Sequence, residues 1–123
     1  MTYEKFAQRM RAFREQVDAE AQALKDSSLA IDSLIRMYKT FHEEDQQLAK
    51  LVLFEWAVSE DEGLRFDAVA LIDALELRAA IPVLKSLYKQ LQTSEHIGAK
   101  FELEKVRRII GRLEPNVTKT PTS

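Results

Sequence analysis

Apolar residues recur along nearly the whole chain at spacings of three and four, the period of helices with one buried flank. Almost nothing interrupts them: 123 residues include three glycines and three prolines. A sheet protein needs many turn residues, so the scarcity and the period together predict an all-α fold. A chain of this length is expected to form one domain that buries enough surface to fold without metal or disulfide.

The first segment carries Tyr3, Phe6, Met10, Phe13, Val17 and Leu24, a heptad-like seam with Glu20 and Ala21 in the gap. Folding back as a cap is expected over dimerisation through this seam. Ser27 and Ser28 offer an N-cap to a second helix with Ile31, Leu34, Ile35, Tyr38 and Phe41 on its apolar side. Thr40 with Glu43, and Ser59 with Glu62, have capping-box spacing and predict the starts of the third and fourth helices. The third has the stripe Leu48, Leu51, Val52, Phe54 and Val58, and the fourth Leu64, Ala68, Leu71, Ile72 and Leu75. Trp56 is expected to be core or edge packing. The fifth helix presents Ala80, Ile81, Leu84, Leu87, Tyr88 and Leu91, with Pro82 in its first turn, where a missing amide costs little. The last presents Val106, Ile109, Ile110 and Leu113 and stops at Pro115. The tail 115–123 has no periodicity and is expected to be disordered; its Asn116-Val117-Thr118 sequon reads as chance.

Two segment pairs align with each other. Leu48, Leu51, Phe54 and Val58 map onto Ile81, Leu84, Leu87 and Leu91 at an offset of 33. Ala68, Leu71, Ile72 and Leu75 map onto Val106, Ile109, Ile110 and Leu113 at 38, which predicts a longer second connection. Moreover, Asp61-x-x-Leu64-Arg65-x-x-Ala68, then Leu71, then Ala80-Ile81-Pro82-x-Leu84 resembles a HEAT or HEAT-like repeat over residues 61–84, and less closely over 43–92. The resemblance implies a short right-handed α–α solenoid of about three helix pairs. It implies that Asp and Arg start the second helix of a pair, that the Ala allows close contact, and that Ile-Pro opens the next pair. Ala99-Lys100-Phe101-Glu102 keeps the basic-Phe-acidic order of Arg65-Phe66-Asp67 but lacks the Asp-x-x-Val-Arg start. The organisation expected is one helical domain over 1–114, with a capping pair at 1–41 and HEAT-like pairs at 43–75 and 78–113.

Chemistry-bearing groups are sparse. Cysteine is absent, so no disulfide, thiolate zinc site or cysteine nucleophile exists. His42 and His96 lie at no metal-ligand spacing. Asp67 with Glu55 could be imagined as a two-carboxylate hydrolase pair, and Glu60, Asp61 and Glu62 as a metal site, but a helix-terminal role is expected for that run, because the dipole favours negative charge there. No nucleophile elbow, phosphate loop or dinucleotide fingerprint occurs, so neither an enzyme nor a cofactor is expected. The opening MTYEKFAQRMRAF lacks the apolar core of a secretory signal, and LAKLVLFEWAV is broken by Lys50 and Glu55, so a cytoplasmic protein without membrane contact is expected.

The net charge of −2 hides an asymmetry. Residues 43–76 hold ten acids against Lys50 and Arg65, while nine bases against four acids follow from Leu77. A helical wheel turns Phe66, Val69, Ala70 and Asp73 away from the fourth helix's stripe, and Phe101, Glu104, Lys105, Arg108 and Arg112 away from that of the last. In HEAT-like solenoids such second helices commonly line the binding face, and aromatic and Arg residues are enriched at interface hot spots. The alternative is that each Phe folds over the preceding loop. The expected function is a non-catalytic module that binds a protein stoichiometrically through Phe66, Val69, Asp73, Phe101, Lys105, Arg108 and Arg112, as a monomer or weak homodimer. Small solenoids of this kind include bacterial immunity proteins, which block a toxin, and the acidic 43–76 stretch would suit a basic nuclease toxin. Nucleic-acid binding through Lys100, Lys105, Arg107, Arg108 and Arg112 is the alternative, opposed by the neighbouring acids and an isoelectric point of about 5.7.

Overall fold

A computed structural model describes residues 2–114; the tail at 115–123 and its sequon lie outside the described residues. The elements are α1 (Tyr3–Leu24), α2 (Ser27–Thr40), α3 (Glu43–Ala57), α4 (Glu62–Leu75), a 3-10 turn (Arg78–Ala80), α5 (Ile81–Gln92) and α6 (Ala99–Leu113). Among the described residues there is no strand. The chain divides into two compact units between Leu75 and Glu76.

In the first unit, Thr2 opens α1 by accepting the Lys5 N–H at 3.2 Å. The helix buries Phe6, Met10, Val17 and Ala21. Leu24 is 70% exposed, so the seam runs out through Ala21 instead; Leu24 is the last helical residue, and the chain turns away at Lys25 in the left-handed region (φ 55°). Asp26, rather than either serine, caps α2: its carboxylate accepts the Ser28 N–H at 3.1 Å. An aspartate both satisfies an orphan amide and complements the helix dipole. Leu34 and Tyr38 of α2 are buried, and Phe41 is half-buried, its ring tilted against that of Phe6 at 5.3 Å.

The Thr40–Glu43 capping box does not form. Thr40 closes α2, and its hydroxyl donates to the Met37 carbonyl at 2.7 Å. His42 takes the N-cap position of α3 without a side-chain hydrogen bond, and the acids of the first turn, Glu43, Glu44 and Asp45, face the helix dipole. The buried flank of α3 is Ala49, Val52, Leu53, Trp56 and Ala57, rotated from the expected stripe. Leu48, Phe54 and Val58 are half-buried, and Leu51 is 52% exposed. Apolar residues lie on more than one side of this helix. The flank that carries two alanines is the one that permits close approach to its neighbours.

The α3–α4 connection is short and clamped from both sides. Asp61 caps α4, accepting the Leu64 N–H at 3.2 Å, while its own N–H donates to Ser59 Oγ at 3.0 Å; Ser59 thus supports the cap instead of forming it. Arg65 is buried, and its guanidinium donates to the carbonyls of Ser59 and Glu60, both at 3.1 Å. Two residues on, buried Asp67 pairs with Arg14 of α1. Gly63 leaves room for that arginine, since a Cβ there would stand 2.8 Å from Arg14 Nη2. α1 packs on α2 and α3, α2 on α4, and α3 on α4.

The second unit is one helix pair, α5 against α6. Leu84, Leu87 and Leu91 meet Ala99, Val106, Ile109 and Leu113 in its core. Pro82 lies in the first turn of α5, as the sequence predicts. Lys85 and Glu114 form an ion pair at 2.6 Å. The register of the two pairs also changes. Glu43 and Ala57 bound α3, while Arg78 and Gln92 bound the 3-10 turn plus α5, each 35 residues later. Buried Ala49, Val52 and Trp56 correspond to buried Leu84, Leu87 and Leu91 at that same offset, replacing 33.

Burial pushes the Asp67 carboxyl above its ordinary value against the opposing pull of Arg14. The pair therefore fixes how α1 meets α4 more than it stabilises the unit. Asp67→Ala, which strands Arg14, is expected to cost about 3 kcal/mol in urea denaturation, whereas Arg14→Met with Asp67→Leu should stay within about 1 kcal/mol of the parent.

At the other end of α1, the Tyr3 hydroxyl donates to Glu55 of α3 at 3.0 Å. Burial, then that bond, then the carboxylate's charge push the phenol up to about 12. The folded chain thus holds the proton more tightly than the unfolded one, whose value is 10.0. This stabilisation is complete below pH 10 and is lost as the pH rises through about 12. Phenolate absorbance should show a late-ionising tyrosine that Tyr3→Phe removes, together with part of the stability loss in that window.

Candidate partner-binding surfaces

Several polar groups that could do chemistry are instead engaged in holding the fold. Asp61 is a cap, Asp67 pairs with Arg14, and Glu55 accepts from Tyr3. His96 accepts the Gly98 N–H at Nδ1 (3.1 Å), and its Nε2 lies 3.2 Å from Glu102, so it organises the start of α6. A cleft of about 300 Å³ lies in the first unit, lined by Arg11 of α1, Glu55 and Trp56 of α3, and Leu64 of α4. Trp56 presents only 4% of its surface, which makes it a core residue.

The surface is more informative than the interior. Large apolar side chains are exposed at Leu24, Leu51, Phe66, Ile97 and Phe101. On α6, Phe101 is 81% exposed. Lys105, Arg108 and Arg112 follow it by four, seven and eleven residues and so share its flank of the helix. Lys105 is half-buried, and Arg108 and Arg112 are exposed. Arg112 lies 3.9 Å from Glu76, and neighbouring Arg107 pairs with Glu104. That pair holds Glu104 below the usual carboxylate range and Arg107 above its ordinary value.

On α4, Phe66 is 55% exposed and Asp73 half-buried, with half-buried Ala70 between them. Val69 is 4% exposed and belongs to the core. The wheel set it outward because it counted one apolar stripe, whereas α4 is buried along a flank broad enough to include Arg65 and Asp67. Neither Phe covers the preceding loop closely enough to be hidden from solvent. The sequence reading missed Ile97, which is 98% exposed. It stands alone in a polar stretch, and its spacing of four before Phe101 was the signal available.

Comparisons with protein-family models, with curated proteins and with solved structures find no match to this chain. Among the described residues, no helix is long and apolar enough to cross a membrane.

Exposure separates contact residues from packing residues. Phe66→Ala and Phe101→Ala should each change unfolding free energy by no more than about 0.5 kcal/mol. Trp56→Ala should cost about 3–5 kcal/mol. Thermal and denaturant melts of the three variants check this directly.

Proposed function

We propose that this chain is a non-catalytic module that binds a protein partner stoichiometrically, in the manner of a bacterial toxin immunity protein. The observation that carries the reading is the α6 flank, where an aromatic ring at 81% exposure heads a row of three cations. An exposed aromatic beside arginines is the composition of an interface hot spot. The chain's acidic stretch and basic end would steer a partner of opposite pattern.

In this reading the helix pairs are HEAT-like repeats of a short right-handed solenoid, and α1–α2 is its cap. The separation of 35 residues between α3 and the 3-10 turn plus α5 supports this, as does the packing of α1 on α3 and α2 on α4, first helix on first and second on second. The contact residues are Phe66 and Asp73 on the first unit and Phe101, Lys105, Arg108 and Arg112 on the second. Val69 is left out because it is buried.

A second reading is nucleic-acid binding, favoured by Lys100, Lys105, Arg107, Arg108 and Arg112 standing on one helix. Phosphate contacts would make such binding fall steeply with salt. Affinity co-purification at native expression level, read by mass spectrometry, should recover a protein near one-to-one, and Phe101→Ala should cut its yield several-fold. Recovery of no stoichiometric protein, with a low-salt gel shift on duplex, would replace the first reading by the second.

A further inference from the structure

The basic flank of α6 has a counterpart within the same sequence. On α3, Glu44, Leu51 and Glu55 lie at separations of seven and four and share one flank, and all three are exposed. Leu51 is the apolar residue of that flank, at 52% exposure, between two acids. On α6 the apolar residue is Phe101, with Lys105 and Arg108 following at four and seven. One helix thus offers acid–apolar–acid, and the other an apolar residue followed by two bases, with Glu104, held to Arg107, beside them.

We infer that α3 of one copy docks against α6 of another copy of this chain, antiparallel, with Leu51 against Phe101. Setting those two residues opposite each other places Glu44 beside Arg108, since each lies seven residues, about 10 Å, from its apolar neighbour. The acidic flank and the basic flank are different surfaces, so the contact is heterologous and leaves a free flank at each end of a pair. A single helix-on-helix contact is smaller than the interface of a stable dimer, so the association is weak and reversible. Its attraction comes from exposed charge and weakens as salt rises. This inference does not rest on the proposed function, but it uses the same α6 flank, so a second copy and a protein partner would compete for Phe101 and Arg108.

Sedimentation velocity of the full chain, over a wide concentration range at low and high salt, tests it. The mean mass is expected to rise with concentration at low salt and to fall back to the monomer at high salt. Glu44→Arg and Arg108→Glu, both at exposed positions, should each weaken association about tenfold, because an attractive pair becomes a repulsive one. Mixing the two variants restores opposite charges across the contact and should restore association. Leu51→Ala and Phe101→Ala should also weaken the association seen at low salt. A monomer at every concentration would overturn the inference. So would association that survives both charge reversals, or a mixture that stays as weak as its components.

Discussion

The clamp at the start of α4 is the constraint on which the first unit depends. Asp61 accepts an amide that the helix would otherwise leave open, and Arg65 closes the carbonyls of Ser59 and Glu60 that follow α3. Buried backbone groups must find partners, and a four-residue connection has few of its own. With the connection fixed, the azimuth of α4 is fixed too. Arg65 then turns to the connection, Phe66 to solvent and Asp67 to α1. Three consecutive residues on a helix point about 100° apart, so one anchored side chain decides the direction of the next two.

The Arg14–Asp67 pair is a consequence of that anchoring. Holding Asp67 almost out of water is costly, and the raised carboxyl records that burial outweighs the arginine's attraction. Such a pair specifies an arrangement better than it stabilises one. Its partner lies on α1, where Gly63 gives the guanidinium space. At the opposite end of α1, Tyr3 reaches Glu55 of α3. Two polar contacts to two different helices orient α1, while Phe6, Met10, Val17 and Ala21 supply the apolar burial.

The same logic separates the groups that hold the structure from those available to a partner. Asp61, Arg65, Asp67 and His96 would each look suggestive as isolated chemistry, yet each has a structural hydrogen bond or ion pair. What the fold leaves on its surface is different in kind: large apolar side chains on charged flanks, Leu51 between Glu44 and Glu55, and Phe101 ahead of Lys105 and Arg108 with Glu104 beside them. Association driven by such flanks is steered by charge and anchored by apolar contact.

The sequence by itself determined that the chain is helical, where most helices begin and end, and that Leu64, Ala68, Leu71, Leu84, Leu87 and Val106 are core. These follow from local rules, because a period of 3.6 and a scarcity of Gly and Pro act within a few residues. It also singled out Phe66 and Phe101, while leaving open whether each faces solvent or folds over the preceding loop. Only the tertiary structure decided which flank of α3 is buried, because alanines count little in a periodicity yet allow the closest approach, so Leu51 is exposed and Ala49 is not. It likewise put Val69 inside and moved the cap of α4 from Ser59 to Asp61. It brought Arg14 to Asp67 across 53 positions, a pairing that spacing along the chain cannot encode because it exists only once the helices have packed.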